Sequence, residues 1–311
     1  MPAERLSILY NPSAGMGRAL DRKIKLERLL KHFEVRYDLV MTRSEDHLRQ
    51  LVREHAGTPG PIVGAGGDST FHIMIDELVR AGADSVFGMI GVGSSNDIPA
   101  EFGLGSLEAA CRALRERRTR RVDLGRITEG GRVLGRFLGQ ANVGLGAFVN
   151  AYVADLALRR PRLARRQTLA GILGIREAYR SGALPWRLAV STADGHFEED
   201  LSLVVFSNIR YWATGKLINP KAVADDGALD ACFIRKASFA RLARISAMAG
   251  KGRHGRAAEV AFRRAPAFTV ASGKDFVVQA DGEILRGEEG RSGFREIVID
   301  VEPGALEIIV P

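Results

Sequence analysis

Apolar residues recur along the chain with two different periods. In residues 1–125, short apolar runs alternate with segments whose apolar positions have helical spacing. This pattern predicts the strands 6–10, 35–41, 61–65 and 86–92 and the helices 17–33, 45–55, 70–83 and 106–117. Strand–helix alternation of this kind predicts an α/β domain, Rossmann-like, with a mostly parallel sheet covered by helices.

After residue 125 the period changes to the alternation of half-buried strands. Asp194-Gly195 is a hairpin signal between two alternating runs. Further strands are predicted, and they are 133–148, 186–191, 198–207, 228–234, 267–271, 275–280, 296–301 and 306–310. Helical spacing interrupts them at 151–181, which Pro161 divides, and at 237–250. We therefore predict an antiparallel, β-rich sandwich over 126–302, a domain boundary near 125, and a return of 303–311 to the first domain.

Composition excludes several classes of protein. Of 311 residues, 46% are hydrophobic and 26% are charged, which excludes a disordered or collagen-like chain. No apolar run is long enough for a transmembrane helix, and the N-terminus lacks a signal-peptide pattern. The two cysteines, Cys111 and Cys232, form neither a disulfide framework nor a zinc motif. These features predict a cytoplasmic protein.

Three glycine-rich turns follow predicted strands and are the strongest local signals. They are Asn11-Pro12-Ser13-Ala14-Gly15, Gly66-Gly67-Asp68-Ser69-Thr70 and Gly93-Ser94-Ser95-Asn96-Asp97. Backbone N–H groups at such turns and at helix N-termini bind phosphate, and glycine lets the backbone approach the anion. None of the three is a GxGxxG fingerprint or a P-loop. Since the carboxyl ends of parallel strands meet at one sheet edge, the three turns predict one anion-binding cleft.

In order and spacing these turns resemble the NPxxG, GGDGT and GTxND motifs of the diacylglycerol kinase catalytic-domain family. The resemblance continues through Arg121-Val122-Asp123-Leu124-Gly125, Asp225-Asp226-Gly227-Ala228-Leu229-Asp230 and Asp281-Gly282-Glu283, and covers nearly the whole chain. It implies an ATP-dependent kinase that phosphorylates a lipid hydroxyl on a diacylglycerol, a ceramide or a sphingoid base.

The resemblance also implies roles for particular residues. The positions that match nucleotide contacts are Asn11, Pro12, Ser13, Ala14, Gly15, Thr42, Gly66, Gly67, Asp68, Ser69, Thr70, Ser94, Asn96 and Asp97. Asp226, with the carbonyls of Val223 and Ala228, matches a Mg²⁺ site. Asp281, Glu283 and Asp68 are the candidate catalytic bases, and the motifs do not distinguish among them.

The chain departs from the family pattern near the second turn. Ser69 occupies a glycine position, which is costly if that position requires a positive φ. His72-Ile73 replaces the usual Asn-Glu, and Ala213-Thr214-Gly215 replaces a triple glycine. These departures keep two alternatives open: a kinase for a soluble acceptor such as NAD or a sugar, and a weakly active sensor of lipid or nucleotide.

The net charge of +8 is unevenly distributed. Arginines interleave with leucines and isoleucines in the segment 156–180, and the arginines are Arg159, Arg160, Arg162, Arg165, Arg166, Arg176 and Arg180. A basic amphipathic segment suits an anionic membrane surface, although a solvated basic background is the alternative. We expect peripheral membrane association and no nucleic acid, because a nucleic-acid module is absent. Sandwich edge strands offer a route to a homodimer.

Overall fold

The computed structural model describes residues 5–58, 60–164 and 166–311. In the N-terminal half, strands and helices alternate as the periodicity predicts. The strands are β1 Leu6–Tyr10, β2 Tyr37–Met41, β3 Ile62–Gly66, β4 Phe87–Gly91 and β5 Arg118–Glu129. The helices are α1 Arg18–His32, α2 Glu45–Ala56, α3 Asp68–Arg80, α4 Asp97–Glu101 and α5 Leu107–Glu116.

The C-terminal half is mostly antiparallel. Its strands are β6 Arg132–Phe137, β7 Gln140–Gly144, β8 Trp186–Thr192, β9 Gly195–Ser207, β10 Tyr211–Trp212, β11 Lys216–Leu217, β12 Leu229–Arg235, β13 Val260–Ala265, β14 Ala267–Phe276, β15 Val278–Ala280, β16 Glu283–Ile284 and β17 Phe294–Val310. Its helices are α6 Leu145–Arg159, α7 Pro161–Ala164, α8 Gln167–Arg180 and α9 Phe239–Ala249. The predicted fold class is confirmed: a parallel α/β domain is followed by an antiparallel sandwich.

A parallel sheet forms the centre of the first domain, with the order β2-β1-β3-β4. Every residue of β3 is buried, which is the burial expected of a central strand with helices on both faces. Its neighbours β1 and β4 run in the same direction, so the three strands end at one edge. The glycine-rich turns therefore emerge side by side.

The long strand β17 connects the two halves of the fold. Ile308 pairs in parallel with Phe87 of β4, whereas 296–300 pair antiparallel with β14. Along most of its length β17 also pairs with β5, which runs through residue 125 without interruption. The domain boundary near 125 remains a prediction, and we propose that 303–311 belong to the first domain.

Alternate side chains of β9 and β12 face two different cores. Val204 and Phe206 pack into the sandwich core, whereas Leu203 and Val205 face the opposite side, where α9 supplies Ile245. The C-terminal half thus has a second apolar layer, between the sheet and its helices. This layer continues toward the ends of the parallel strands and forms the inner wall of a cleft at that edge.

Several boundaries differ from the sequence predictions by a few residues, β13 was not predicted, and two of the differences change the architecture. The strand predicted over 133–148 ends at Gly144, and α6 begins at Leu145, six residues before the predicted helix. Gly144 has φ 93° and ψ −134°, a conformation open to glycine, and this turn converts the strand into the helix. The predicted strands 296–301 and 306–310 form one continuous strand, β17. Pro161 begins a new helix, as expected of a residue favoured in the first helical turn.

Candidate functional site

The three glycine-rich turns meet at the carboxyl ends of β1, β3 and β4. The Asn11 side-chain amide donates to Thr70 Oγ1 at 2.9 Å, which joins the first turn to the second. The backbone N–H of Gly93 donates to the Gly66 carbonyl at 3.0 Å, which joins the second turn to the third. The predicted convergence of the three turns is thus present in the fold.

Glycine is sterically required where the turns touch. A Cβ added to Gly93 would lie 2.6 Å from the Gly67 Cα, and the obstacle is backbone that cannot rotate away. Gly15 has φ 61°, and its added Cβ would lie 3.2 Å from the Val92 carbonyl oxygen. The glycines therefore allow the three turns to approach one another at the edge of the sheet.

Ser69 does not strain the second turn. It lies in the first turn of α3 and has no positive φ, so a serine there has an ordinary helical backbone. Its hydroxyl faces Gly282, where an added Cβ would lie 3.1 Å from Ser69 Oγ. The expected cost of placing serine at a glycine position is therefore absent. Glycine is instead favoured at residue 282, because its backbone has φ 102°.

A single cleft of about 1090 Å³ collects most of the predicted site residues. The predicted residues that line it are Asn11, Ala14, Gly15, Gly67, Asp68, Ser69, Thr70, Ser94, Asp97 and Asp281. The predicted residues outside its lining are Pro12, Ser13, Thr42, Gly66, Asn96, Glu283 and the predicted Mg²⁺ ligands Val223, Asp226 and Ala228. Thr42 is buried and donates its N–H to the Tyr10 carbonyl, and Asn96 closes the third turn through its side-chain bonds to Gly93.

Asp68 is the carboxyl group with the most altered acidity in the cleft. It begins α3, and its oxygens accept the N–H groups of Asp97 and Ile98, both at 3.2 Å. Burial, together with the nearby Asp97 and Asp281 carboxylates, raises the pKa of Asp68 to about 7, against the lowering effect of the two hydrogen bonds. A carboxyl group with a pKa near 7 is well suited to accept a proton at neutral pH.

Asp97 connects the two domains across the cleft. Its carboxylate accepts the N–H of Thr214 at 3.0 Å and of Gly215 at 2.8 Å. Ala213, Thr214 and Gly215 all have a positive φ, so this segment adopts left-handed backbone at three successive residues. Asp97, which is predicted to contact the nucleotide, therefore also has a structural role that its motif does not reveal.

Asp281 is held by a cage of backbone N–H groups. Its carboxylate accepts Leu138 N at 2.9 Å, Gly139 N at 3.1 Å and Gln140 N at 2.8 Å, and the residue is 4% exposed. A Cβ on Gly139 would lie 2.5 Å from Asp281 Oδ1, so glycine is needed there. Because three donors already occupy this carboxylate, it holds the β6–β7 segment more readily than it accepts a substrate proton.

Several residues of the cleft escaped the sequence analysis. Lys216 lines it and is the cation there, with Nζ 2.7 Å from the Ala213 carbonyl. His72 is buried behind Asp281, with Nδ1 3.9 Å from Asp281 Oδ2. Gln279 lines the cleft and accepts from Asn142 at 2.6 Å. Lys216 lies outside the quoted motifs, and His72 and Gln279 adjoin the second turn and the Asp281-Gly282-Glu283 segment. The change to His72 had marked that position as unusual.

The far end of the cleft is apolar. It lies between the outer face of β9 and β12 and the helices α6, α8 and α9. The apolar residues that line it include Leu145, Val149, Ile172, Ile175, Leu203, Trp212, Ile218, Ile234, Phe239, Leu242 and Ile245. A polar end with phosphate-type turns and an apolar end thus belong to the same cavity.

Arginines pair with the acidic residues of the turn that is predicted to bind Mg²⁺. Asp226 Oδ2 pairs with Arg264 Nη2 at 2.6 Å, and its Oδ1 accepts the Ala228 N–H at 3.2 Å. Asp225 pairs with Arg120 at 2.6 Å, and Asp123 accepts the Gly227 N–H at 2.8 Å. Among the described residues, no cluster of three or more acidic, histidine or cysteine ligands is present. The Arg264 guanidinium thus already neutralises the one carboxylate of the predicted Mg²⁺ site, and the metal roles of Asp226, Val223 and Ala228 remain predictions.

We therefore expect the nucleotide-free protein to have the same Tm in EDTA and in millimolar Mg²⁺. Arg264→Gln removes the cation from Asp226, and Mg²⁺ is then expected to raise Tm, because the turn holds an uncompensated carboxylate. Arg263→Gln is the matched control, since Arg263 is the neighbouring arginine and forms no ion pair with this turn. A wild-type Tm that rises with Mg²⁺ and loses that rise in Asp226→Asn would contradict this expectation and support the predicted Mg²⁺ site.

Comparison with known proteins adds independent information. The family model of the diacylglycerol kinase catalytic domain matches residues 5–127, and that of the YegS C-terminal NAD kinase beta sandwich-like domain matches residues 139–310. A protein named diacylglycerol kinase from Mycobacterium tuberculosis is 30% identical over 292 residues, covering 90% of this chain and 91% of that protein.

Two further relatives have similar coverage. A protein named "Probable lipid kinase YegS-like" from Pseudomonas aeruginosa is 25% identical over 272 residues, covering 87% of this chain and 83% of that protein. The fold is similar to a crystal structure described as a diacylglycerol kinase from Bacillus anthracis, with a TM-score of 0.73 at 16% identity, covering 100% of this chain and 98% of that one.

Proposed function

Given that the chain belongs to the diacylglycerol kinase family and is a kinase, we propose that it transfers the γ-phosphoryl group of ATP to a hydroxyl of a membrane lipid. The observation that carries this proposal is the single cleft that joins three phosphate-type turns to an apolar chamber. A soluble acceptor such as NAD or a sugar would leave that apolar chamber unfilled. The candidate lipids remain diacylglycerol, ceramide and sphingoid bases.

In this proposal the nucleotide phosphates lie against the glycine-rich turns. The N-terminus of α3 supplies unpaired N–H groups and the positive end of a helix dipole, and both favour a bound phosphate. Lys216 supplies a cation at the polar end of the cleft. Mg²⁺ bound to the ATP phosphates would neutralise part of their charge, as in other phosphoryl transfers.

Asp68 is the proposed base. The acceptor hydroxyl oxygen forms a bond to the γ-phosphorus, the bond between that phosphorus and the β–γ bridging oxygen breaks, and the hydroxyl proton passes to the Asp68 carboxylate. Its pKa of about 7 and its place at the start of α3, within the cleft, support this role. Asp97 and Asp281 hold the surrounding backbone, so the cleft retains its shape while Asp68 exchanges protons.

A lipid-panel assay examines this function directly. Purified protein with Mg²⁺-ATP is expected to phosphorylate diacylglycerol, ceramide or sphingosine in mixed micelles, with the product identified by mass spectrometry. We expect no phosphorylation of NAD or free sugars, because these lack the apolar portion that fills the chamber. ATP binding with no lipid product in the panel would favour the sensor alternative, and a phosphorylated soluble acceptor would overturn the proposal.

A further inference from the structure

The helices at the mouth of the cleft expose apolar side chains beside arginines. Leu158, at the end of α6, is 87% exposed, and Ile172 of α8 and Phe239 of α9 are each 46% exposed. The segment 145–180 holds seven arginines and two acidic residues, which gives 7 − 2 = +5 of the net +8. We define the arginine–apolar face by Leu158, Arg159, Arg160, Arg162, Arg166, Leu169, Ile172, Arg176 and Phe239. Arg165 lies outside the described residues.

The spacing of α8 accounts for one side of this face. Leu169, Ile172, Arg176 and Tyr179 are separated by three, four and three residues, so they lie along one helix surface. The opposite surface packs tightly against α6, because a Cβ on Gly174 would lie 3.2 Å from the Tyr152 ring. Because one surface of α8 packs against α6, the apolar residues and the arginine of the other surface are exposed together.

Several arginines of the face have no acidic partner. Within the described residues, Arg160, Arg162 and Arg166 form no ion pair, whereas Arg159 pairs with Asp155 at 2.9 Å. On the sandwich, by contrast, Arg235 and Arg241 pair with Glu199 and Glu259 at 2.7 and 2.6 Å. Three guanidinium groups at the tip of the α6–α8 segment are thus free to meet anions from outside the chain.

The face surrounds the opening of the apolar chamber. Ile172 and Phe239 are both exposed at the surface and part of the cleft lining, so the chamber reaches the surface between α8 and α9. We propose that the arginine–apolar face docks on an anionic phospholipid bilayer and places this opening against the membrane. This inference rests on the proposed lipid-kinase function, because a substrate drawn from a bilayer must enter where the chamber opens.

The chemistry of the face favours a bilayer over other polyanions. Guanidinium groups bind lipid phosphates, while Leu158, Leu169, Ile172 and Phe239 offer aliphatic and aromatic surface that enters the interfacial region. A nucleic acid would satisfy the arginines but leave these apolar side chains exposed to water. No described helix is long and apolar enough to span a membrane, so docking would occur on the surface of the bilayer.

Flotation with vesicles measures the docking. The test variant is Leu158→Asp/Arg160→Glu/Arg162→Glu, whose residues lie outside the cleft lining. The matched control is Ile24→Asp/Lys25→Glu/Arg28→Glu on α1, which changes one exposed apolar residue and two cations in the same way; Ile24 is 62% exposed. The two variants must have equal Tm, so that a difference in binding reports the surface.

Wild-type protein and the α1 control are expected to bind equimolar phosphatidylglycerol–phosphatidylcholine vesicles at low salt, and to bind phosphatidylcholine vesicles weakly. The test variant is expected to lose more than roughly tenfold in partitioning, since each cation near an anionic surface contributes about a fivefold factor. Equal binding by the test variant and the control would overturn the proposal. A nucleic-acid surface would give a different pattern. The proposal would be overturned if the test variant lost binding to RNA while Leu158→Asp alone bound vesicles as well as the wild type does.

Activity assays separate this inference from the proposed function. We expect the test variant to phosphorylate dioctanoylglycerol in dilute solution at the wild-type rate, and to be slowed on long-chain diacylglycerol in anionic vesicles. A protein that phosphorylates no lipid in either form fails as a lipid kinase, while the flotation result still decides the docking surface. Equal rates for the test variant on both substrates would overturn the docking role with the kinase assignment intact.

Discussion

Replacing Asp68 by asparagine is expected to lower kcat/KM for lipid phosphorylation by about 10²–10⁴-fold, the usual contribution of a general base. Asparagine has the same shape and keeps one oxygen to accept the N–H groups of Asp97 or Ile98. The other hydrogen bond to α4 is lost, because each Asp68 oxygen accepts one N–H group, and an unchanged Kd for ATP is what shows that the loss reports proton transfer. Single-turnover kinetics with saturating ATP would show the loss in the chemical step, with little change in the Kd for ATP.

The pH dependence gives a second measurement on the same residue. Burial raises the pKa of Asp68 to about 7, so the carboxylate needed as a base is depleted below that pH. Wild-type kcat/KM is expected to fall by about tenfold per pH unit below pH 7 and to level off above it. In Asp68→Asn this limb is expected to disappear. If kcat/KM of the variant still fell below pH 7 as in the wild type, the base would be a group other than Asp68.

Stability should follow the same titration with a defined sign. The folded-state pKa of Asp68, about 7, lies above its ordinary value of 3.8, so the fold favours the protonated form. The stability that this preference contributes is fully present below about pH 4 and is lost as the pH rises through 7. The Tm of Asp68→Asn relative to wild type is therefore expected to increase from pH 5 to pH 8.

The sequence predicted those parts of the site that depend on short-range signals, such as a glycine at the end of a strand. Gly66 ends β3, Gly67 and Gly93 lie just beyond β3 and β4, and the parallel sheet brings these strand ends together. Both the α/β domain and the clustering of the three turns follow from such short-range signals. The helix start at Gly144 was missed, because glycine in an alternating run suits a strand as well as a turn.

The remaining parts depend on contacts between distant segments. Asp97 accepts N–H groups from Thr214 and Gly215, more than 110 residues away in the chain. Similarly, Asp226 pairs with Arg264 of β13. No periodicity or turn signal specifies such partners, since they arise only when the sandwich packs against the first domain. The resemblance therefore implies a metal role for Asp226 but gives no sign of its arginine partner, which only the fold reveals.

Asp281→Ala is expected to destabilise the fold by about 3–9 kcal/mol, because two buried N–H groups and one partly buried N–H group would lose their acceptor at about 1–3 kcal/mol each. Those donors belong to Leu138, Gly139 and Gln140, which precede and begin β7. For a chain of 311 residues the loss corresponds to a fall in Tm of roughly 5–14 °C. Calorimetry or a thermal-shift assay measures it without any substrate.

Asp281→Asn and Glu283→Gln separate this structural role from catalysis. The asparagine amide presents N–H groups to the N–H donors of the cage, so its Tm is also expected to fall. Glu283 is only partly buried, and Glu283→Gln is expected to retain the wild-type Tm. If Asp281→Asn kept the wild-type Tm while losing activity by more than about 10²-fold, Asp281 would be the base and Asp68 would hold the loop. The backbone donors around Asp281 and the raised pKa of Asp68 favour the opposite assignment, in which Asp281 fixes the floor of the cleft and Asp68 takes the proton.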